Sequence, residues 1–177
     1  MKKSRVSLRA FGMEEVERSL DWVNDDEVTK YTGTSSPISA DEHRAYWEKE
    51  LKNPRRKTFS IVTSEGRHIG NIGLLEIDWV ARNAEVYVYV GDAQYRGKGY
   101  GTEAIQCLVE YAFGRLNLHK LFARVYAYNE RGAKSFEKCG FTREGHLREH
   151  VFRNGEYHDV AVLGILRSEQ RDSGQTR

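Results

Sequence analysis

The sequence predicts a single α/β domain built on a mixed sheet, and three observations carry that prediction. Hydrophobic spacing alternates between helix and strand periods in the order β, α, α, three strands, α, β, α and a closing strand pair. Residues 84–90, rich in valine and tyrosine, run through a basic glycine-dense loop, Arg96-Gly97-Lys98-Gly99-Tyr100-Gly101, directly into a helix. Near the end, Asn154-Gly155 is a two-residue turn between two β-rich runs. The strand–helix–strand unit around the glycine loop predicts a right-handed crossover with two parallel strands.

The elements follow in chain order. Residues 6–8 form a short strand, and Met13–Val23 an amphipathic helix with Val16, Leu20 and Val23 on its inner stripe. Residues 24–37 are polar and turn-rich. Ser39 with Glu42 makes a capping box that starts a helix over 40–51, which Asn53-Pro54 ends. Strands are predicted at 58–63 and 68–77, with Gly70 and Gly73 marking a bulge or a close backbone approach. In the strand 84–90, Glu85, Tyr87 and Tyr89 share one face and Val86, Val88 and Val90 the other. The helix after the loop carries Ala104, Ile105, Leu108, Val109, Ala112 and Phe113 as its apolar set. A strand over 120–127, a short helix over 129–139 stopped by Gly140, and a hairpin of 141–153 with 157–166 complete the domain. A polar tail that frays follows.

Length and composition set the class. The 177 residues hold no linker rich in proline, glycine or serine, so one domain over 1–177 is expected, with its core at about 5–167 and a polar tail at 168–177. With 39% hydrophobic and 31% charged residues the chain reads as folded rather than disordered. A net charge of +2 is too balanced for nucleic acid as the default partner. The basic start, Met1-Lys2-Lys3-Ser4-Arg5, leads into no apolar run, and no stretch is long enough to span a membrane. A cytoplasmic protein without a membrane partner is expected. Cys107 and Cys139 read as buried thiols rather than a disulfide. His146 and His150 fall in a strand, and no histidine spacing suggests a metal.

Strand, glycine loop and helix start together aim backbone N–H groups at an anion, so the loop reads as a phosphate or pyrophosphate cradle. A Walker loop needs lysine and then Ser or Thr after its last glycine, whereas Gly101 is followed by Thr102 and Glu103. A dinucleotide fingerprint needs a third glycine or alanine where Thr102 stands, and a first βα unit rather than a mid-chain one. Arg96-x-x-Gly99-x-Gly101 instead resembles the Q/R-x-x-G-x-G/A signature of the GCN5-related N-acetyltransferases. The run Asn129-Glu130-Arg131-Gly132-Ala133-Lys134-Ser135-Phe136-Glu137-Lys138-Cys139-Gly140-Phe141 resembles a second segment of that family at the expected distance. Leu8-Arg9, Trp22-Val23-Asn24-Asp25 and the closing Arg153–Asp159 hairpin are similar to its RimJ/RimL-like branch.

The resemblance implies a mixed, mostly antiparallel twisted sheet with central parallel splayed strands, flanked by helices. It implies acetyl-CoA as co-substrate, without a metal, and direct attack of a primary amine on the thioester. The pyrophosphate would meet the amides of Gly97, Lys98, Gly99, Tyr100, Gly101 and Thr102, with Arg96 and Lys98 adding charge. Tyr89 and Val90 would pair with the pantetheine arm through backbone groups, and Asn129 would contact the coenzyme. Glu85 is the candidate general base or amine anchor; a solvent-facing strand carboxylate is the plainer reading. Many members carry a tyrosine where this chain has Phe136, so Ser135, Tyr126, Tyr128 or water must protonate the coenzyme thiolate. Tyr31, Tyr87 and Tyr157 are candidate acceptor contacts, Tyr31 within a loop at 31–37 that reads equally as a surface connector. Asp25, Asp26, Glu27, Asp41 and Glu42 supply acids near that loop, as solvated helix ends also would. The acceptor expected is a small-molecule amine, such as a polyamine or amino sugar, or a protein N-terminus, and a homodimer is compatible with the sequence. A coenzyme A-binding sensor without turnover is the alternative.

Overall fold

The computed structural model describes residues 4–33 and 36–170. Residues 34–35, within the 31–37 loop, and the tail from 171 lie outside them. The described residues form β1 (Val6–Ala10), α1 (Met13–Val23), α2 (Asp26–Thr29), α3 (Ala40–Glu50), β2 (Lys57–Thr63), β3 (His68–Asp78), β4 (Asn83–Val90), α4 (Tyr100–Gly114), β5 (Lys120–Tyr126), α5 (Glu130–Lys138), β6 (Thr142–Arg153) and β7 (Glu156–Leu166). The strands make one seven-stranded sheet in the order β1-β2-β3-β4-β5-β7-β6. Every neighbouring pair is antiparallel except β4 and β5.

That parallel pair is short. Its register runs Asn83↔Lys120, Ala84↔Leu121 and Glu85↔Phe122. Past that point β4 stays with β3 as far as Val90↔Gly70, and β5 stays with β7 as far as Tyr126↔Val160. The two strands therefore splay, and the opening between them faces the glycine loop.

α4 buries all six of its predicted apolar residues, packing them with Ile72, Leu74, Val86, Leu121 and Leu163 in one core. Alternation along β4 separates two layers. A Cβ on Gly101 of α4 would stand 3.7 Å from Val90, while Tyr89 lies edge-on to Trp22 of α1, with ring centroids 6.5 Å apart. Gly70 and Gly73 mark close approach, as expected. A Cβ would meet the Tyr89 carbonyl at 2.2 Å and the Lys57 carbonyl at 2.3 Å. The Ser39–Glu42 capping box forms, with Glu42 N–H donating to Ser39 Oγ at 3.2 Å and Ser39 N–H to Glu42 Oε2 at 2.9 Å. Asn154 and Gly155 have φ of 51° and 84°, the left-handed pair that a tight hairpin needs.

Two expectations change. The stretch 24–37 holds α2, only four residues long, started by Asp25 Oδ1 accepting from Glu27 N–H at 2.9 Å and pinned by buried Val28. A single turn is too short to show a period, so the sequence reads as polar loop. The two cysteines are free but half-buried rather than buried. Cys139 donates to the Thr102 carbonyl at 3.3 Å, and burial pushes its thiol up to about 12.

Under α1 lies a polar cluster. Ser19 Oγ is 3.1 Å from His43 Nε2, and His68 Nε2 is 2.7 Å from Asn71 Oδ1. Burial lowers the pKa of both histidines from the usual value. The unfolded chain therefore takes up protons first as pH falls through about 6.5, and stability is full above that value and lost below it. The loss is at most about 1.4 kcal/mol per histidine per pH unit. Thermal melts at pH 7.5 and 5.5 should show a lower midpoint at the acid end, with a shallower slope in His43→Gln.

Candidate active site

The glycine loop is held from both sides. Asp92 caps the short turn Ala93–Tyr95, with Gln94 N–H donating to Oδ1 at 3.0 Å. Arg5 donates to the Lys98 carbonyl at 3.0 Å, binds Glu103 at 2.7 Å through Nε, and stacks over Tyr100 at 4.3 Å. Gly97 and Gly99 take φ of 73° and 87°, which a side chain would strain. Gly99 is the N-cap of α4, and no side chain caps that helix. The first-turn amides thus face outward at the positive end of a 15-residue helix. Glu103→Gln should weaken the Arg5 clamp and raise the coenzyme Kd about fivefold, roughly the value of one exposed charge pair, by calorimetry.

The opposite wall is α5. Asn129 caps it, Oδ1 accepting from Gly132 N–H at 3.0 Å. Arg131, Lys134, Ser135 and Lys138 follow at i, i+3, i+4 and i+7, which is one helical face. That face turns to the glycine loop across a cavity of about 300 Å³. Glu27, Val28, Tyr31 and Thr32 close its third side. Among the described residues the three cations show no acidic partner. Left-handed glycines, an uncapped helix start and unpaired cations on the facing wall fit a diphosphate.

A second cavity, of about 680 Å³, lies beside the first. Its lining includes Asn24, Asp26, Glu27, Lys30, Tyr128, Phe152 and Arg153. Glu27 belongs to both walls. Asn24, in its lining, exchanges two hydrogen bonds with the Ile38 backbone at 2.9 and 2.8 Å.

The acetyltransferase (GNAT) domain family model matches residues 5–142. The chain belongs to the GNAT acetyltransferase family. It is thereby an acetyl-CoA-dependent N-acetyltransferase acting on an amine. The spermidine N(1)-acetyltransferase of Vibrio cholerae is 30% identical over 94% of this chain and 95% of its own length. That of Escherichia coli K12 is 32% identical over 73% and 71%. A crystal structure of the Vibrio cholerae spermidine N-acetyltransferase with CoA and spermine superposes with a TM-score of 0.89 at 30% identity, covering 94% of this chain and 98% of that one.

The structure brings most of the predicted GNAT site residues to one cavity. Tyr31, Tyr89, Val90, Arg96, Gly97, Gly99, Tyr100, Gly101, Thr102, Asn129 and Ser135 all line it. Arg96, which lines the cavity, and Lys98, which does not, do other work than expected. The Arg96 guanidinium turns to Asp25 Oδ2 at 2.6 Å and to the Val90 and Gly91 carbonyls, so its charge is neutralised away from the cradle. The Val90 carbonyl is thereby engaged. Lys98 lies exposed outside the wall, and its contribution is the carbonyl that Arg5 holds.

Four other predicted residues are elsewhere. Glu85 is buried at the fork of β4 and β5, both oxygens held by Arg124 at 2.9 and 2.6 Å. Tyr87 donates to Thr58 Oγ1 at 2.9 Å beneath Arg56. Tyr126 stands behind Tyr128, rings 5.4 Å apart. Tyr157 is 65% exposed on the hairpin and packs on Phe152. Asp159 is spent within that hairpin, accepting from Glu149 N–H and His146.

Phe136, at the usual tyrosine position, is buried against Phe141 with centroids 5.0 Å apart. Ser135 beside it reaches the cavity, its hydroxyl donating to the Arg131 carbonyl at 3.1 Å. Arg131, Lys134 and Lys138 are cations of the cavity wall that sequence reasoning did not single out. Their heptad-like spacing after Asn129 was the available signal.

Proposed function

We propose that this enzyme acetylates a primary amine of the polyamine class, taken in through the second cavity and presented to the first past Glu27. Glu27 carries the reading. The residue lines both cavities, and its carboxylate already holds an alkyl ammonium, Lys30 Nζ, at 2.6 Å. A substrate ammonium of the same chemistry can replace that contact. The Vibrio cholerae and Escherichia coli relatives named for spermidine support the class.

Acetyl-CoA, when bound, supplies an acyl group activated as a thioester. The amides from Gly97 to Thr102, with Arg131, Lys134 and Lys138, hold its phosphates. Tyr89 and Val90 border the arm at the open edge of β4. An alkyl amine with a pKa near 10 is neutral in about one molecule per thousand at pH 7. Glu27 binds the ammonium and takes the proton, directly or through water. Attack of the neutral amine forms the C–N bond and breaks the C–S bond; Ser135 passes its proton to the departing thiolate and takes back the one released by the newly acylated nitrogen. Glu85 acts at a distance, holding β4 and β5 at the fork through Arg124. The Tyr31 ring forms the side of the passage, tilted against Tyr128 at 6.1 Å.

Thiol release from acetyl-CoA, measured across spermidine, spermine, amino sugars and peptides with free N-termini, tests the acceptor. Turnover with the polyamines is expected, and turnover confined to peptides would reject the class. Glu27→Gln should raise the amine KM about tenfold and lower kcat as well, with coenzyme affinity unchanged. Ser135→Ala should lower kcat by about 100-fold at constant KM. A fully active Ser135→Ala would assign the proton to water. A dodecameric structure of the Vibrio cholerae relative, with a TM-score of 0.80 to this chain, supports a multimer here as well, which sedimentation would read directly.

A further inference from the structure

We propose that the ion pair between Arg96 and Asp25 is a positioning device that aligns the amine-side wall with the coenzyme loop. The guanidinium joins three pieces of chain. Its Nε donates to the Val90 carbonyl at 3.0 Å, at the end of the splayed strand. Its NH2 nitrogen reaches the Gly91 carbonyl and Asp25 Oδ2. Its backbone leads directly into Gly97, the first glycine of the cradle. Asp25 divides its two oxygens: Oδ1 starts α2 by accepting from Glu27 N–H, and Oδ2 takes the arginine.

α2 has four residues, far below the length at which a helix holds itself, so its placement comes from its surroundings. Those surroundings converge on the same segment. A Cβ on Gly91 would stand 2.1 Å from the Trp22 ring, so the end of α1 is seated against the strand end that Arg96 grips. The arginine side chain is 18% exposed and the aspartate 35%, which screens this pair less than an ordinary surface pair. α2 then presents Glu27 to both cavities, and Tyr31 follows it. Whatever orders the glycine loop is transmitted through Arg96 and Asp25 to the residues that meet the amine.

The catalytic part of this inference rests on the amine-side role of Glu27, but its first test needs no amine. Asp25→Asn keeps an oxygen to start α2 and removes the charge that faces Arg96. Hydrogen exchange of residues 24–32 is measured with and without coenzyme A, alongside the coenzyme Kd by calorimetry. In the wild type, coenzyme A should slow exchange in that segment about tenfold. In Asp25→Asn the Kd should move less than about threefold, while the slowing falls below about twofold. Asp25→Ser, which also keeps an oxygen to start α2 and lacks the charge, should give the same pattern, and it serves if Asp25→Asn folds poorly. Once an amine substrate is in hand, its KM should rise about tenfold in either variant.

Three results overturn the proposal: no coenzyme-dependent slowing in the wild type, slowing that persists undiminished in both variants, or coenzyme affinity and thermal stability collapsing together in both. If the exchange pattern holds while polyamines are not turned over, the acceptor class is wrong and the coupling stands.

Discussion

Gly99→Asp should raise the coenzyme Kd by about 100-fold or more, some 2.7 kcal/mol, while the protein still folds. Three effects act together at this position. The φ of 87° disfavours any side chain, although aspartate tolerates it better than most. The added carboxylate stands at the uncapped start of α4, where it competes for the amides that a diphosphate needs. Its charge also repels the incoming phosphates. Damage to the fold is limited because the nearest atom to the new Cβ is the Arg5 guanidinium at 3.4 Å, the free end of a flexible side chain. A thermal midpoint within a few degrees of wild type, with coenzyme binding lost in calorimetry, is the expected pair of results. Unchanged affinity would remove the loop from the coenzyme site.

Removing the α5 cations should have an effect of similar size by a different route. A charge-assisted hydrogen bond contributes about 1.5–3 kcal/mol. Arg131→Ala with Lys134→Ala should therefore weaken coenzyme binding by about 100-fold or more. The double variant should also bind with a flatter dependence on salt, since fewer charges remain to be screened. Neither residue is buried, and neither makes an ion pair among the described residues, so stability should stay near wild type. Calorimetry at low and high ionic strength reads both quantities. If affinity falls but its salt dependence is unaltered, these cations do not face phosphate.

The residues that gather around the first cavity were largely legible in the sequence, and the reason is local. Glycines at 97, 99 and 101, the six apolar positions of α4 and the cap at Asn129 each act within one loop or helix, so their spacing carries their role. Longer-range pairings were hidden. Glu85 and Arg124 are on different strands, and their bidentate contact exists only because β4 and β5 meet for a short distance and separate. With both oxygens occupied, a residue that looks like a base from its strand position becomes a brace. Arg96 belongs to the same kind: its neighbours in sequence suggest phosphate, and its partner lies 71 residues away. The acids from Asp25 to Glu42 looked alike in sequence, but folding divides them. Asp25 is taken by Arg96, Glu42 by Ser39, and Glu27 alone stands at the junction of the two cavities.

The three-residue seam between β4 and β5 has a mechanical consequence. The sheet is two panels, β1 to β4 and β5 to β7 with β6, and the seam and the Glu85–Arg124 brace both lie at one end of the line where they meet. A ligand lying in the fork acts as mortar between the panels. Such a ligand would bridge β4 and β5 beyond their three paired residues, where the sheet's own ladder does not join them.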